Sequence, residues 1–321
     1  MAENYHEKVQ NLPMIRNKDK VYVTGIGLET FLLFENGLPM PHFASFTALQ
    51  DATGRNILVN LYHQLIEVAK SYKVDGIVLD TPTWRANPDW ARKLDVDESG
   101  LKSIYKESLD ILNKVKVEHA TPEFEIILMG TVGPRGDGYQ VKDAMTAVEA
   151  EKYHSFQIGC FANIGVDGVF IATLSYPEEA IGFIRASKKA GVPCVVSFTV
   201  ETNGDLPNGI SLKEAILQVE DATDNAAAYF MINCAHPTHF EANFKGDHEP
   251  WMKRIQCVRC NPSTKSHAEL DGSTSLDSGD AILFGKQVTG LKKALPCLNV
   301  FGGCCGSNAA HLEEICKNIS P

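Results

Sequence analysis

Short apolar runs alternate along this chain with longer segments of helical periodicity. The runs are Val21–Val23, Gly76–Leu79, Glu125–Met129, Asp167–Ala172, Pro193–Phe198, Tyr229–Asn233, Ile255–Cys260 and Leu298–Phe301. They are nearly continuous in apolar character, as strands are when both faces of a parallel sheet are covered. Between them, apolar residues recur at helical spacing over Asn56–Tyr72, Gly100–Val117, Ala147–Ile164, Glu178–Ala190, Leu212–Ala222 and Ala281–Leu295, and Ala309–Ile319 follows the last run. Ser211 and Asn308 stand where helix caps are expected. The segment His239–Lys253 is aromatic-rich and weaker in period. Alternating strands and helices, with eight strands, predict an α/β protein built as a single (β/α)8 TIM barrel over residues 20–321. Residues 1–19 precede it as an N-terminal arm. An open doubly wound sheet is the competing architecture, but no G-x-G-x-x-G follows the first strand. The polar, Ser/Asp-rich stretch from Arg259 to Gly279 reads as a loop decorating the barrel mouth.

Composition narrows the partners. Of 321 residues, 44% are hydrophobic and 22% charged, the balance of an ordinary globular chain. The formal net charge is −10 with no Lys/Arg cluster, which argues against nucleic acid and anionic membranes. Small molecules are the expected partners, and a homo-oligomer is possible. No apolar stretch approaches the ~20 residues that span a bilayer. The first 20 residues are polar and lack an apolar core, so no signal peptide is expected and the cytoplasm is the default location. Nine cysteines, an odd count, read as free thiols, metal ligands or catalytic groups in a reducing compartment.

In such barrels the active site lies at the carboxyl ends of the strands, and the unusual residues of this chain fall there. Gly25 to Thr30 follow the first strand, Asp80 to Arg85 the second and Gly130 to Gly136 the third. Ser197 to Thr202 follow the fifth, Asn233 to Pro237 the sixth and Gly302 to Gly306 the eighth. Strands six and eight are separated by one strand, and alternate strands share a layer. Cys234 can therefore approach the glycine-flanked pair Cys304-Cys305. Three thiolates at one point make a catalytic zinc site with a fourth position open. Zinc holds a bound thiol as thiolate at neutral pH. Such a thiolate can take a methyl group from a cationic sulfonium or ammonium donor by in-line displacement.

The other candidates surround these cysteines. Glu29 and Asp80 could orient acceptor or donor, or cap neighbouring backbone. Trp84 and Tyr176 could hold a methylated cation by cation–π attraction, or pack under loops. Arg85 could grip a carboxylate, or pair with Asp89. Gly25, Thr83, Asn233 and His267 complete the expected substrate contacts. His236 and His239 read as loop structure, since a site with three cysteines has no room for them as ligands. Cys257 and Cys260, three residues apart on one strand, should face opposite ways and serve as core thiols. Cys160, Cys194, Cys297 and Cys316 read as packing residues.

Two widely spaced motifs, Ile232-Asn233-Cys234 and Gly302-Gly303-Cys304-Cys305-Gly306, resemble the zinc motif of the homocysteine S-methyltransferase family. The resemblance runs from about residue 21 to residue 316. Thr131-Val132-Gly133-Pro134 is similar to the family's Ser-Val-Gly-Pro turn, Ser197-Phe198-Thr199 to its Ser-Phe-Thr, and Thr81 and Thr83 to its Thr-x-Thr. The resemblance implies a zinc-binding barrel that methylates a thiol, homocysteine or a relative, in methionine biosynthesis. Two positions depart from the pattern. Gly25 stands where the family has an aspartate, and Ala172 where it has a glutamate. Those carboxylates pair with the homocysteine ammonium, and a buried ammonium without a partner is costly. Either Glu29, Asp80 or Glu201 replaces them, or the acceptor thiol carries no ammonium. No corrinoid- or folate-binding segment is present, so a small-molecule methyl donor is expected. Two alternative functions use the same site: a zinc hydrolase or lyase with Asp80 or Glu29 as base, and a non-catalytic zinc- or thiol-binding protein.

Overall fold

The structure, a computed structural model, describes residues 4–319 apart from 245, 247, 248, 272 and 274. Eight strands form one closed, parallel barrel in sequence order. They are β1 (Tyr22–Thr24), β2 (Gly76–Asp80), β3 (Glu125–Val132), β4 (Gly168–Leu174), β5 (Cys194–Phe198), β6 (Phe230–Asn233), β7 (Ile255–Cys260) and β8 (Val300–Gly303). The closing pair joins Tyr22 to Val300 and Val23 to Phe301. This is the (β/α)8 barrel that the apolar runs predict.

Period-two alternation sorts the strand residues. Tyr22, Val78, Met129, Phe170, Val195, Met231, Cys257 and Val300 form a cluster inside the barrel. Val23, Leu79, Leu128, Ile171, Val196, Ile232, Val258 and Phe301 pack outward beneath the helices. Both sets are buried, so the runs carry no polar alternation. Cys257 belongs to the inner cluster and Cys260 to the outer one, as their spacing requires.

The main helices are Ala52–Ser71, Glu98–His119, Ala147–Ile164, Pro177–Ala190, Leu212–Thr223, Ala281–Gly290 and Ala309–Ile319. Ser211 caps its helix in a reciprocal box with Glu214. Asn308 Oδ1 accepts from Ala310 N at 3.2 Å. Two expected helices are shorter than their patterns. Ala281–Leu295 stops at Gly290, a poor helix former, and tightens into a 3-10 turn over Leu291–Lys293. His239–Lys253 holds only short turns, Pro237–Phe240, Glu241–Phe244 and Pro250–Arg254, and residues 245, 247 and 248 lie outside the described residues.

The N-terminal arm is helical over Tyr5–Asn11 and Pro13–Arg16, and its first three residues lie outside the described residues. Val9, Leu12, Met14 and Ile15 join the inner barrel cluster. Asn299 Nδ2 donates to the Met14 carbonyl at 2.9 Å and the Tyr5 hydroxyl to the Ala226 carbonyl at 2.8 Å. The arm therefore covers the amino-terminal end of the barrel and leaves the carboxyl end open. Among the described residues, no helix is long and apolar enough to cross a membrane.

Candidate functional site

The carboxyl end of the barrel opens into a cavity of about 410 Å³. Cys234, Cys304 and Cys305 lie on its wall, and their sulfurs fall within 4.8 Å of one another. The separation of β6 and β8 by a single strand brings them together. Backbone geometry does the local work. Gly27 passes so close to the pair that a Cβ there would lie 2.5 Å from the Cys304 carbonyl oxygen and 2.7 Å from Cys305 Cα. Gly306 turns the chain away at φ +85°. Cys234 itself holds φ 59°, and Thr173, also on the cavity wall, holds φ 60°. Such left-handed residues cost on the order of 1–2 kcal/mol each and persist where surroundings impose them.

Neighbouring donors converge on the sulfurs. The Tyr139 hydroxyl donates to Cys234 Sγ at 3.0 Å, and Asn261 Nδ2 approaches the same sulfur at 4.0 Å. Asn233 Oδ1 accepts from Thr173 N at 2.8 Å and from the Ser197 hydroxyl. With its oxygen so occupied, its amide nitrogen faces Cys304 Sγ at 3.8 Å. Cys304 and Cys305 donate to Cys234, with Tyr139 adding a further donor, and hold its thiol well below the usual range. The reciprocal effect pushes Cys304 up to about 12 and Cys305 upward as well. Three sulfurs close together, with amide and hydroxyl donors around them, fit a thiophilic metal ion such as zinc.

Charged groups gather beside the cysteines. Arg259, inward on β7, pairs with Asp80 at the end of β2, Nη1 to Oδ2 3.2 Å. Its guanidinium also donates to the Ile26 carbonyl at 3.3 Å and lies over the Phe170 ring at 5.6 Å. The pair fills the space beside Gly25: a Cβ there would lie 3.0 Å from Arg259 Nη2 and 3.2 Å from Asp80 Oδ1. Glu29 lines the cavity and accepts from the Ser45 hydroxyl at 2.8 Å. Burial raises its carboxyl above the ordinary range, and the neighbouring Cys304 sulfur and Asp80 carboxylate add to the rise. Among the described residues, the cavity carries the carboxylates of Glu29, Asp80, Asp137, Asp271 and Asp277 against the guanidiniums of Arg85 and Arg259. Carboxylates outnumber cations, so the wall favours a positively charged guest.

The other expected contacts fall in different places. Trp84 and His267 line the cavity. Trp84 Nε1 donates to Thr173 Oγ1 at 3.1 Å. The His267 ring stacks 4.4 Å from Tyr139, and its Nε2 contacts Thr199 Oγ1 and the Val200 carbonyl, each at 3.1 Å. Arg85 lies 4.8 Å from the Trp84 ring and 4.0 Å from Trp90, and donates to the His42 carbonyl. An aromatic face expected to be free for a ligand cation thus already carries Arg85. Asp89, the alternative partner weighed for Arg85, instead binds Arg92 at 3.4 Å and Arg135 at 3.1 Å.

Thr83 is fully buried and lies outside the cavity lining; its hydroxyl bonds the Thr131 carbonyl at 2.7 Å and Thr81 at 2.6 Å. Tyr176 is also outside: its hydroxyl accepts from Met145 N at 3.1 Å. Gly25 touches the site only through the pair that crowds it. Ala172 lines the cavity, and Glu201 does not. His236 caps the short turn that follows β6, and burial lowers its pKa to about 4. His239 contacts the Thr264 carbonyl at 3.0 Å. The loop from Arg259 to Gly279 does border the cavity, through Asn261, His267, Asp271 and Asp277, while Gly272 and Thr274 lie outside the described residues.

Tyr139, Arg259 and Asn261 stand at the site without an individual role expected from sequence, although the last two fall in the stretch expected at the mouth. Arg259 had a signal, being a charge two residues from the inward Cys257 on a buried strand. Tyr139 sits on a glycine-bearing loop whose path the sequence does not specify.

The comparisons with known proteins agree with this geometry. A family model described as Homocysteine S-methyltransferase matches residues 42–319. The structure resembles that of the homocysteine methyltransferase MmuM from Escherichia coli. Its oxidised form gives a TM-score of 0.75 at 15% identity, covering 96% of this chain and 98% of that one. Its metallated form gives 0.73 at 14% identity, covering 96% and 99%. These structural matches speak for the fold. A methionine synthase of Mycobacterium leprae is 22% identical over 268 residues, 78% of this chain but 20% of the relative, so the chain spans about a fifth of that protein's length. With the family match covering most of its residues, the chain belongs to the homocysteine S-methyltransferase family and is a methyltransferase.

Proposed function

We propose that this methyltransferase passes a methyl group from a sulfonium or quaternary ammonium donor to the sulfur of homocysteine or a closely related thiol. Cys234, Cys304 and Cys305 would hold zinc. The observation that carries the reading is the convergence of three sulfurs within 4.8 Å on the wall of a carboxylate-rich cavity. Zinc bound there would lower the pKa of the acceptor thiol and keep its sulfur nucleophilic at neutral pH.

The chain's own groups supply the rest. Asp80 brings a carboxylate to the space beside Gly25, so an acceptor ammonium would meet a side chain from the second strand in place of one from the first. Arg259 fixes that carboxylate through the 3.2 Å pair. Glu29, buried on the cavity wall and held by Ser45, favours a positive group on donor or acceptor. Tyr139 and Asn233 stabilise charge on the cysteine sulfurs through their hydroxyl and amide donors. In the transfer step a lone pair of the acceptor sulfur forms the new S–CH3 bond. The donor's C–S or C–N bond breaks, and its electron pair leaves on a neutral thioether or tertiary amine. Most of the protein's contribution is positioning the two sulfurs, or sulfur and nitrogen, in line with the methyl carbon.

The test is direct. Purified enzyme loaded with zinc is incubated with homocysteine and, separately, with S-methylmethionine, S-adenosylmethionine and betaine. Methionine should form with at least one donor. No methionine from any of them, with zinc retained, would overturn the proposal.

A further inference from the structure

On the outer wall of the barrel, away from the mouth cavity, two helices bring histidines face to face. His63 lies in the helix Ala52–Ser71, and His119 is the last residue of Glu98–His119. His63 Nδ1 and His119 Nε2 are 2.7 Å apart, with ring centroids at 5.0 Å. Glu118 Oε2 lies 3.7 Å from His63 Nε2, and Glu67 Oε1 lies 3.2 Å from His119 Nδ1. One ligating atom from each of His63, Glu118 and His119 falls within 4.8 Å of the others. None of these residues lines the mouth cavity.

We infer that His63, His119 and Glu118 form a second metal site, for a divalent transition ion such as zinc or nickel, that staples the two helices together. Glu67 Oε1 and Lys70 Nζ both approach the far nitrogen of His119, at 3.2 and 3.4 Å, and the metal-binding tautomer turns its Nδ1 proton toward Glu67. That leaves the Nε2 lone pair aimed at His63, the carboxylate–histidine arrangement that orients a metal-bound imidazole. Burial lowers the pKa of His119, with Lys70 and His63 adding to the fall, which favours the neutral ring that a metal ion needs. His63 and Glu67 are one helical turn apart and share a helix face. Two imidazoles and a carboxylate suit zinc, nickel or copper and disfavour magnesium and calcium. Zinc–nitrogen bonds of about 2.0–2.1 Å need the facing nitrogens to separate by roughly half an ångström. The His63 side chain is 31% exposed and can rotate by that much. The proton between the rings moves from His63 Nδ1 to His63 Nε2, so both rings meet the ion as neutral imidazoles and no net proton is lost.

The test uses the holoenzyme with its cysteine site already loaded. Zinc is titrated into it by calorimetry near neutral pH, and bound zinc is counted by elemental analysis. Wild type should take up one further equivalent. His119→Ala and His63→Gln should lose that equivalent while keeping the first, and Glu118→Gln should bind it about tenfold more weakly. Saturation should raise the thermal midpoint of wild type by several degrees and leave that of His63→Gln unchanged. Circular dichroism of His63→Gln verifies that the fold is intact. Equal uptake by wild type and His63→Gln, or no second equivalent in wild type, would overturn the inference.

Discussion

The Tyr139 hydroxyl lies 3.0 Å from Cys234 Sγ and ties the loop after β3 to the end of β6. Burial, reinforced by the charge on Cys234, raises the phenol pKa well above its usual value, so Tyr139 is a donor throughout the working pH range. A hydrogen bond to a charged sulfur contributes about 1.5 kcal/mol. Tyr139→Phe should therefore lower kcat/KM roughly tenfold. The ring would keep its stack on His267, so stability should change little. Steady-state kinetics beside a thermal melt would separate the two effects, and an unchanged kcat/KM would remove Tyr139 from the account.

Asp80 and Arg259 make a more demanding test, because each is nearly buried and neutralises the other. Removing one partner strands a charge, at a cost of about 3–5 kcal/mol. Asp80→Asn should lower stability and raise the acceptor KM. The double variant Asp80→Leu/Arg259→Met should recover most of the stability, since a buried pair can be replaced by apolar groups of similar size. It should not recover acceptor binding. Urea unfolding and acceptor titrations on the two variants read the split; recovery of both would make the pair purely structural.

Glu29 gives the enzyme a pH signature. Its carboxyl pKa is raised in the folded chain, chiefly by burial. The folded state thus holds that proton more tightly than the unfolded state. The resulting stability is full below the ordinary carboxylate pKa and is lost as pH rises through the folded value. Glu29→Gln cannot ionise and should lose less stability than wild type as pH rises above the ordinary carboxylate range. The same variant should bind a cationic substrate at least several-fold more weakly. Thermal melts across that rise in pH check the first point, and KM values for donor and acceptor check the second.

Glu179 supports the site at a distance. Its Oε1 accepts from His154 at 2.9 Å and from Arg135 N at 2.8 Å, in a spot where both side chains are almost wholly buried. The Arg135 contact anchors the loop that carries Tyr139. Glu179→Ala should cost about 3 kcal/mol, because two buried groups lose their partner. Activity should fall along with stability. Glu179→Gln keeps an acceptor and should lose about 1 kcal/mol. Denaturant unfolding distinguishes the two variants.

Much of the barrel is legible in the sequence, because strands buried on both faces give unbroken apolar runs. Strand ends are less so. β3 continues through Gly130-Thr131-Val132, which reads as the start of a turn, because Thr131 can face the barrel mouth with its N–H satisfied by Thr81 Oγ1 at 3.0 Å. The three cysteines are legible for a topological reason: alternate strands meet in one layer. What surrounds them depends on side-chain reach across the barrel. Asp80 and Arg259 are 179 positions apart, and only closure of the barrel makes them neighbours. Thr83 and Tyr176 follow strands as mouth residues do, yet both turn into the protein to satisfy buried hydrogen bonds. Tyr139 reaches Cys234 because its loop folds back over the mouth, a path that no local pattern encodes.

Zinc content in parallel with methyl transfer is the most direct measure of the central claim. Wild type purified without chelator should carry one tightly held zinc in the cysteine site and methylate homocysteine. Cys304→Ala should keep its secondary structure, lose that zinc and lose transfer by at least about a thousandfold. A Cys304→Ala enzyme that retains that zinc, or that transfers methyl groups at the wild-type rate without it, would contradict the account.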